Sequence, residues 1–103
     1  MTQKELIEKM TEIGNHCCEH DKDTFYDGGK EAISKMAEDL EKCGYSESFI
    51  ATTIKRIITC YKKRDDAFKI QNYEEADAYR GAIHACSAVL TFVTTKDSPL
   101  APF

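Results

Sequence analysis

The chain has 103 residues, of which 42% are hydrophobic and 31% are charged, and its net charge is −4. These values are typical of a single globular domain with one core, and they argue against a disordered chain. They also argue against a nucleic-acid-binding protein, because such proteins usually present a net positive surface, whereas here the basic character is confined to residues 46–72.

The sequence contains no apolar run of the ~18 residues that a membrane-spanning helix requires, and its first residues, which include Glu5 and Glu8, do not have the basic-then-apolar layout expected of a signal peptide. Its five cysteines are an odd number in a chain without an export signal, which favours reduced thiols. We therefore expect a cytoplasmic protein without a cofactor.

The first predicted helix begins at Thr2, because Thr2 and Glu5 have the spacing of a capping box. Apolar residues then recur at helical spacing, and the helix is expected to run to about His20. Its predicted buried face comprises Leu6, Ile7, Met10, Ile13 and Cys17.

Residues 21–29 are predicted to form a loop, because they are polar and end in Asp27-Gly28-Gly29. A second, short helix follows, and Gly44 is placed to close it in a left-handed conformation. Its apolar positions are Ile33, Met36, Ala37 and Leu40. Ser46 then caps a third helix, with Tyr45 and Ile50 as a hydrophobic staple.

The third and fourth predicted helices each carry a heptad seam, in which apolar positions alternate at spacings of three and four. The first seam comprises Ile50, Ile54, Ile57, Tyr61, Arg64 and Phe68, and the second comprises Ala76, Tyr79, Ile83, Cys86, Leu90 and Val93. Asn72 and Glu75 form a capping box between them, which predicts that the chain folds back at Asn72. The alternative is that the β-branched runs 50–59 and 89–95 are strands.

The predicted fold class is all-α: a small bundle of about four helices built on a long antiparallel helical hairpin. One domain spans 1–103, with two shorter helices in 1–45, the hairpin in 46–95 and a tail in 96–103. The tail contains Pro99 and Pro102, so the chain is expected to leave the helix from about Thr94 onward.

The stretch Tyr73–Ile83 reads YEEADAYRGAI and follows Ala67. Together they resemble the UVR motif, a short helical hairpin of nucleotide-excision-repair subunits and of some adaptor proteins of Clp proteases. The resemblance covers roughly residues 58–90 and implies a hairpin that docks onto another protein. Asp77 stands where the motif has a small apolar residue, and Gly81 where it has an acidic one.

His16, Cys18 and His20 are the densest group of potential metal ligands, since two histidines one turn apart are a common way to bind zinc. Two more ligands would be needed, with Cys43 as a remote candidate. The favoured interpretation is that the histidines are solvated near a helix end and that Cys17 is a core residue. No metal is therefore predicted.

The basic residues between Lys55 and Lys69 are candidates for contact with phosphates or with an acidic partner. The favoured interpretation is internal neutralisation, because Asp65 and Asp66 lie within the run and Lys69 would face Glu75 across the hairpin.

Aromatic and arginine side chains gather at the turn end of the hairpin, and these residue types dominate interface hot spots. Arg64 and Arg80 would lie close together there, which requires Asp77 or an external anion between them. The predicted binding residues are Tyr61, Arg64, Phe68, Tyr73, Tyr79 and Arg80.

These features predict a non-catalytic protein that binds another protein, as an adaptor or a small inhibitor, through its hairpin. Small acidic proteins of this style are frequent among phage accessory proteins. An uncovered seam would also favour a homo-oligomer, with a dimer as the expectation. No nucleic-acid or membrane partner is predicted.

Two alternatives remain open. One is an oligomer that sequesters an anionic small molecule or nucleotide at Arg64 and Arg80, and the other is a metal-binding regulator that uses the cluster from His16 to His20. No catalytic residue is predicted, because the sequence offers no pair of carboxylates, no triad and no complete phosphate loop.

Overall fold

A computed structural model describes residues 2–16 and 23–97. Within these ranges the chain forms four helices and no strand: α1 (Gln3–His16), α2 (Asp23–Cys43), α3 (Glu47–Lys69) and α4 (Tyr73–Asp97). The predicted all-α bundle with an antiparallel α3–α4 hairpin is confirmed, and the alternative that residues 50–59 and 89–95 are strands is wrong. None of the described helices combines the length and the apolar character needed to cross a membrane.

The predicted helix ends are formed by the expected side chains. The Glu5 amide donates to the Thr2 hydroxyl at 3.1 Å, and the Glu75 amide donates to the Asn72 side-chain oxygen at 3.2 Å. Ser46 caps α3 by accepting from the Phe49 amide at 3.4 Å. Gly44 has a φ of 67°, which is the left-handed closure predicted for the end of α2.

Helix α2 differs most from its prediction. It begins at Asp23 and has 21 residues, so Asp27, Gly28 and Gly29 lie inside a helix and not in a loop. At the other end of the chain, α4 continues to Asp97, which makes residues 94–97 helical where a tail was expected. The predicted last turn of α1, residues 17–20, and the tail residues 98–103 lie outside the described residues.

The two glycines Gly28 and Gly81 explain why α2 is helical here. A Cβ atom built on Gly28 would lie 1.9 Å from the Ala78 carbonyl oxygen, and one built on Gly81 would lie 1.9 Å from the Phe25 carbonyl oxygen. The main chains of α2 and α4 therefore touch, which only glycine permits. Helix α4 contacts the three other described helices, α2 most extensively.

The core surrounds α4. Leu6, Met10 and Ile13 of α1 are buried as predicted, whereas Ile7 is exposed, so the predicted buried face of α1 is narrower than expected. The buried side chains of α2 include Ala32, Met36 and Leu40. Those of α4 include the predicted seam residues Ala76, Ile83, Cys86 and Val93, and also Ala82, Ala85 and Val89.

The predicted seam of α3 is correct for Ile50 and Ile57, which are partly buried against the core, but the centre of the buried face lies about a quarter of a turn away from it. The buried residues of this helix are Phe49, Thr53, Cys60 and Ala67. Ile54, Tyr61 and Phe68, which were expected to face α4, are exposed. After Phe49, the buried face of α3 is thus lined by the small side chains of Thr53, Cys60 and Ala67, and Ile54, Tyr61 and Phe68 remain on the surface.

Candidate functional site

One apolar surface runs along the exposed side of α3, and we call it the α3 stripe: Ile54, Ile58, Tyr61 and Phe68. Their exposed fractions are 45%, 63%, 44% and 42%. The spacings from Ile54 to Ile58 to Tyr61 are four and three, and Phe68 follows seven residues later, so the four side chains share one face. The stripe is roughly 21 Å long at 1.5 Å per residue, which is two heptads.

The stripe continues beyond the end of α3 into the turn of the hairpin. Ile70 and Tyr73 are both exposed there, and the rings of Phe68 and Tyr73 lie 6.1 Å apart in a tilted arrangement. Contacts between aromatic rings at this distance are favourable, so the end of the stripe is a packed pair and not two separate side chains.

Charged residues border the stripe unequally. Lys55, Lys62 and Lys69 recur every seven residues along one edge. Among the residues that the structure describes, none of the three forms an ion pair, and the expected pairing of Lys69 with Glu75 is not formed. The Glu75 carboxylate instead accepts hydrogen bonds from the Asn72 side chain and the Tyr79 hydroxyl. The predicted pairing of Lys69 with Glu75 is therefore wrong, whereas Asp65, which lies within the basic run, does form an ion pair with Arg64.

Four of the six predicted binding residues lie together on the α3 stripe and its extension: Tyr61, Arg64, Phe68 and Tyr73. The Arg64 guanidinium lies over the Tyr61 ring, 4.8 Å from its centroid, and one of its nitrogens is 3.1 Å from an Asp65 carboxylate oxygen. This arrangement holds a planar cation flat against an aromatic face at the edge of the stripe.

The other two predicted residues, Tyr79 and Arg80, lie on α4. Arg80 forms an ion pair with Asp77 at 3.3 Å, as the sequence predicted for one of the two arginines. Tyr79 is half-buried, and its pKa is raised by burial and by the hydrogen bond that its hydroxyl donates to Glu75 at 3.3 Å. Arg64 and Arg80 therefore each have a carboxylate of their own helix beside them.

A second surface was missed in the sequence because it depends on where α2 lies. A groove of about 400 Å³ opens between α2, α3 and α4. Lys35 lies on its α2 side, and Lys55, Arg56 and Lys63 lie on its α3 side. Its other lining residues are Gly28, Glu31, Ala32, Thr52, Thr59, Cys60, Ala78, Tyr79 and Ala82.

The described thiols differ in their environment. Cys43 is exposed, whereas Cys60 and Cys86 are buried. Burial raises the pKa of Cys86 to about 12 and raises the pKa of Cys60 as well. Both thiols are therefore protonated at neutral pH and pack as small apolar groups.

The candidate metal ligands cannot be placed. Cys18 and His20 lie outside the described residues, as does the side chain of His16, so this part of the prediction stays a prediction. Among the side chains that are described, no group of three or more histidine, cysteine or acidic residues is arranged to hold a metal ion.

The stretch that resembles the UVR motif falls on the end of α3, the turn and the first half of α4. Its membership of that family stays a prediction. No protein-family model, no curated protein and no solved structure matches this chain.

Proposed function

We propose that this chain is a non-catalytic binding protein, an adaptor or small inhibitor that takes an amphipathic helix of another protein on the α3 stripe. The observation that carries the proposal is the exposure of Ile54, Ile58, Tyr61 and Phe68 along one face of α3, in addition to the residues that this helix buries. Asp65 is the one charged residue on that face. Compact proteins rarely leave such a contiguous apolar surface uncovered unless it is an interaction site.

The spacing of the stripe favours a helix as its occupant. Apolar side chains at alternating spacings of three and four are the knobs that a facing helix receives in its holes. Tyr61 and Arg64 add residue types that carry much of the energy in interfaces, and the Arg64 guanidinium lies over the Tyr61 ring.

The charges beside the stripe favour a different protein over a second copy of this chain. In an antiparallel pair of α3 helices, the row of Lys55, Lys62 and Lys69 on one copy would face the same row on the other copy. In a parallel pair it would face the opposite edge, which carries Ile50, Ile57 and Arg64. Both arrangements lack a carboxylate opposite the lysines, and the flanking positions decide partner choice in helix pairs. A partner helix with acidic residues at these positions fits the stripe better.

Photo-crosslinking in the native host tests this proposal. A photoreactive phenylalanine analogue replaces Ile58 in the stripe, and the control carries it in place of Ile7, an exposed isoleucine on α1. We expect the position-58 variant to crosslink a different protein through a helical, acidic segment identified by mass spectrometry. The position-7 variant should not crosslink that segment.

Two results contradict the proposal. Crosslinks from position 58 to this chain itself, with a dimer in sedimentation, would establish the homodimer that the sequence suggested. Equal crosslinking from positions 58 and 7 would show that the stripe has no specific occupant.

A further inference from the structure

The groove between α2, α3 and α4 has the size of a small-molecule site. Its volume of about 400 Å³ falls within the range of roughly 300–1,000 Å³ that is usual for such sites. Its floor consists of Gly28, Ala32, Ala78 and Ala82, whose side chains are too small to fill the space between α2 and α3. The floor of the groove is therefore apolar, and open space remains above it between the helices.

The walls of the groove are basic in a chain whose net charge is −4. Two of its four cations are paired: Lys35 lies 3.1 Å from Glu31, and Arg56 lies 2.9 Å from Asp39. Within the part of the chain that is described, Lys55 and Lys63 have no ion-pair partner. Two uncompensated positive charges therefore face the same cavity.

Thr59 lies one helical turn from each of the two unpaired cations, Lys55 and Lys63, and Thr52 lies one turn before Lys55. Thr52 and Thr59 lie on the same face of α3 as Lys63, and no hydrogen bond of either hydroxyl is formed among the described residues. The neighbouring Thr53 behaves differently, because its hydroxyl donates to the Phe49 carbonyl oxygen at 2.9 Å. The groove thus presents two hydroxyl donors that the helix does not use.

Apart from Glu31, which pairs with Lys35, no residue that lines the groove carries a negative charge that would repel an anion. The Cys60 thiol is protonated, because burial raises its pKa. The Lys63 ammonium lies 5.9 Å from the centre of the Tyr79 ring, which keeps this cation on the groove.

We propose that the groove binds a small molecule that carries a phosphate group. A phosphate monoester has about −1.5 to −2 charges at neutral pH and three acceptor oxygens, which suits the two unpaired lysines and the Thr59 hydroxyl between them. Thr52 lies roughly 10 Å farther along the helix and faces another part of the molecule. The apolar floor receives the body of the molecule. This site lies on the other flank of α3 from the stripe, and it does not depend on the partner helix proposed above.

Titration with AMP, followed by amide chemical shifts of the isotope-labelled protein at 0.15 M salt, tests the proposal. We expect saturable shifts at residues 28–35 and 52–63, and adenosine, which lacks the phosphate, should cause none of them. Ribose 5-phosphate separates the contribution of the phosphate from that of the base, and it should bind at the same residues.

Two adjacent lysines supply a matched pair of variants. Lys63→Glu places a negative charge in the groove, and Lys62→Glu makes the same change on the adjacent residue, outside the groove lining. We expect Lys63→Glu to weaken AMP binding about tenfold or more, because a charged hydrogen bond is replaced by repulsion, and Lys62→Glu to weaken it less than about twofold. Circular dichroism checks that both variants remain helical.

Three outcomes would overturn the proposal. They are the absence of shifts with AMP and ribose 5-phosphate, equal weakening by the two lysine variants, and binding of a single-stranded RNA oligonucleotide under conditions where AMP does not bind. The last result would assign the lysines to a nucleic-acid backbone. Lys55 borders both sites, but these outcomes concern binding in the groove alone and do not test the proposal for the α3 stripe.

Discussion

Gly28 and Gly81 are the positions at which the main chains of α2 and α4 meet. At each of them a methyl group would overlap a carbonyl oxygen of the facing helix, at 1.9 Å. Glycine in a helix interior destabilises the helix by roughly 0.5–1 kcal/mol relative to alanine. The close approach of α2 and α4 nevertheless requires glycine at these two positions.

Gly81→Ala should therefore destabilise the protein although alanine is the better helix former. We expect the free energy of unfolding to fall by about 2–4 kcal/mol, because the Phe25 carbonyl is part of a helix and cannot move aside. Urea denaturation monitored by circular dichroism measures the change.

Gly14→Ala is the control for this prediction. A Cβ atom at Gly14 would lie 3.6 Å from the Lys30 side chain, which is an ordinary contact. We expect this variant to be more stable by about 0.5–1 kcal/mol. If Gly81→Ala behaved like Gly14→Ala, the close contact between α2 and α4 would not exist.

The wrong prediction of a loop at residues 21–29 is also explained by single residues. Asp27, Gly28 and Gly29 are residues that favour turns when only their neighbours in sequence are considered. What makes Gly28 helical is Ala78, fifty residues away in the chain, and local patterns contain no information about such a contact. Gly81 was the available signal, because a glycine inside a predicted helix has a packing reason more often than a local one.

At the scale of the elements, the turn between α3 and α4 is held by backbone hydrogen bonds from two successive amides. Gln71 donates to the Phe68 carbonyl at 3.0 Å, and Asn72 donates to the Ala67 carbonyl at 2.8 Å. This is a Schellman motif, and its central residue has a positive φ, here 59° at Gln71. Glycine is the residue that adopts this conformation without strain.

Gln71→Gly should accordingly stabilise the hairpin. We expect the free energy of unfolding to rise by about 1 kcal/mol, since the left-handed conformation costs an L-residue roughly 1–2 kcal/mol. Thermal and urea denaturation measure it. Gln71→Ala retains the strain and should leave stability nearly unchanged, and a gain of the same size in both variants would refute this explanation.

The heptad of α3 shows how a correct pattern led to a wrong packing face. Ile54, Tyr61 and Phe68 are more apolar than Thr53, Cys60 and Ala67, so the sequence predicts that the first set is buried. The structure buries the second set, because small side chains allow α3 to lie close to the rest of the bundle. The turn at Asn72, the caps and the seam of α4 were predictable, since they depend on local chemistry or on one dominant stripe.

At the scale of the whole molecule, burial divides the described cysteines into reactive and protected groups. Iodoacetamide at pH 8 should label Cys43 rapidly in the folded protein. The pKa of Cys86 is raised from 9.0 to about 12, which lowers its thiolate fraction about a thousandfold, and its burial adds to the protection. Cys60 should also react slowly.

Peptide mass spectrometry resolves the modified positions in this experiment. In urea the three thiols should react at similar rates, because unfolding restores the ordinary pKa of Cys86. Native labelling of Cys86 as fast as that of Cys43 would contradict the placement of α4 in the core.

The candidate sites were predictable to different degrees at this scale. Tyr61, Arg64, Phe68 and Tyr73 could be found in the sequence, because they follow one another along a single hairpin. The groove could not, because it requires Lys35 of α2 to face α3, and no pattern within either helix specifies how the two are oriented.

Helix α3 separates the two proposed sites. The groove and the α3 stripe lie on opposite flanks of this helix. A ligand bound on one flank leaves the other flank exposed to solvent, so α3 contributes residues to two separate surfaces. Lys55 lies between the groove and the α3 stripe and borders both of them.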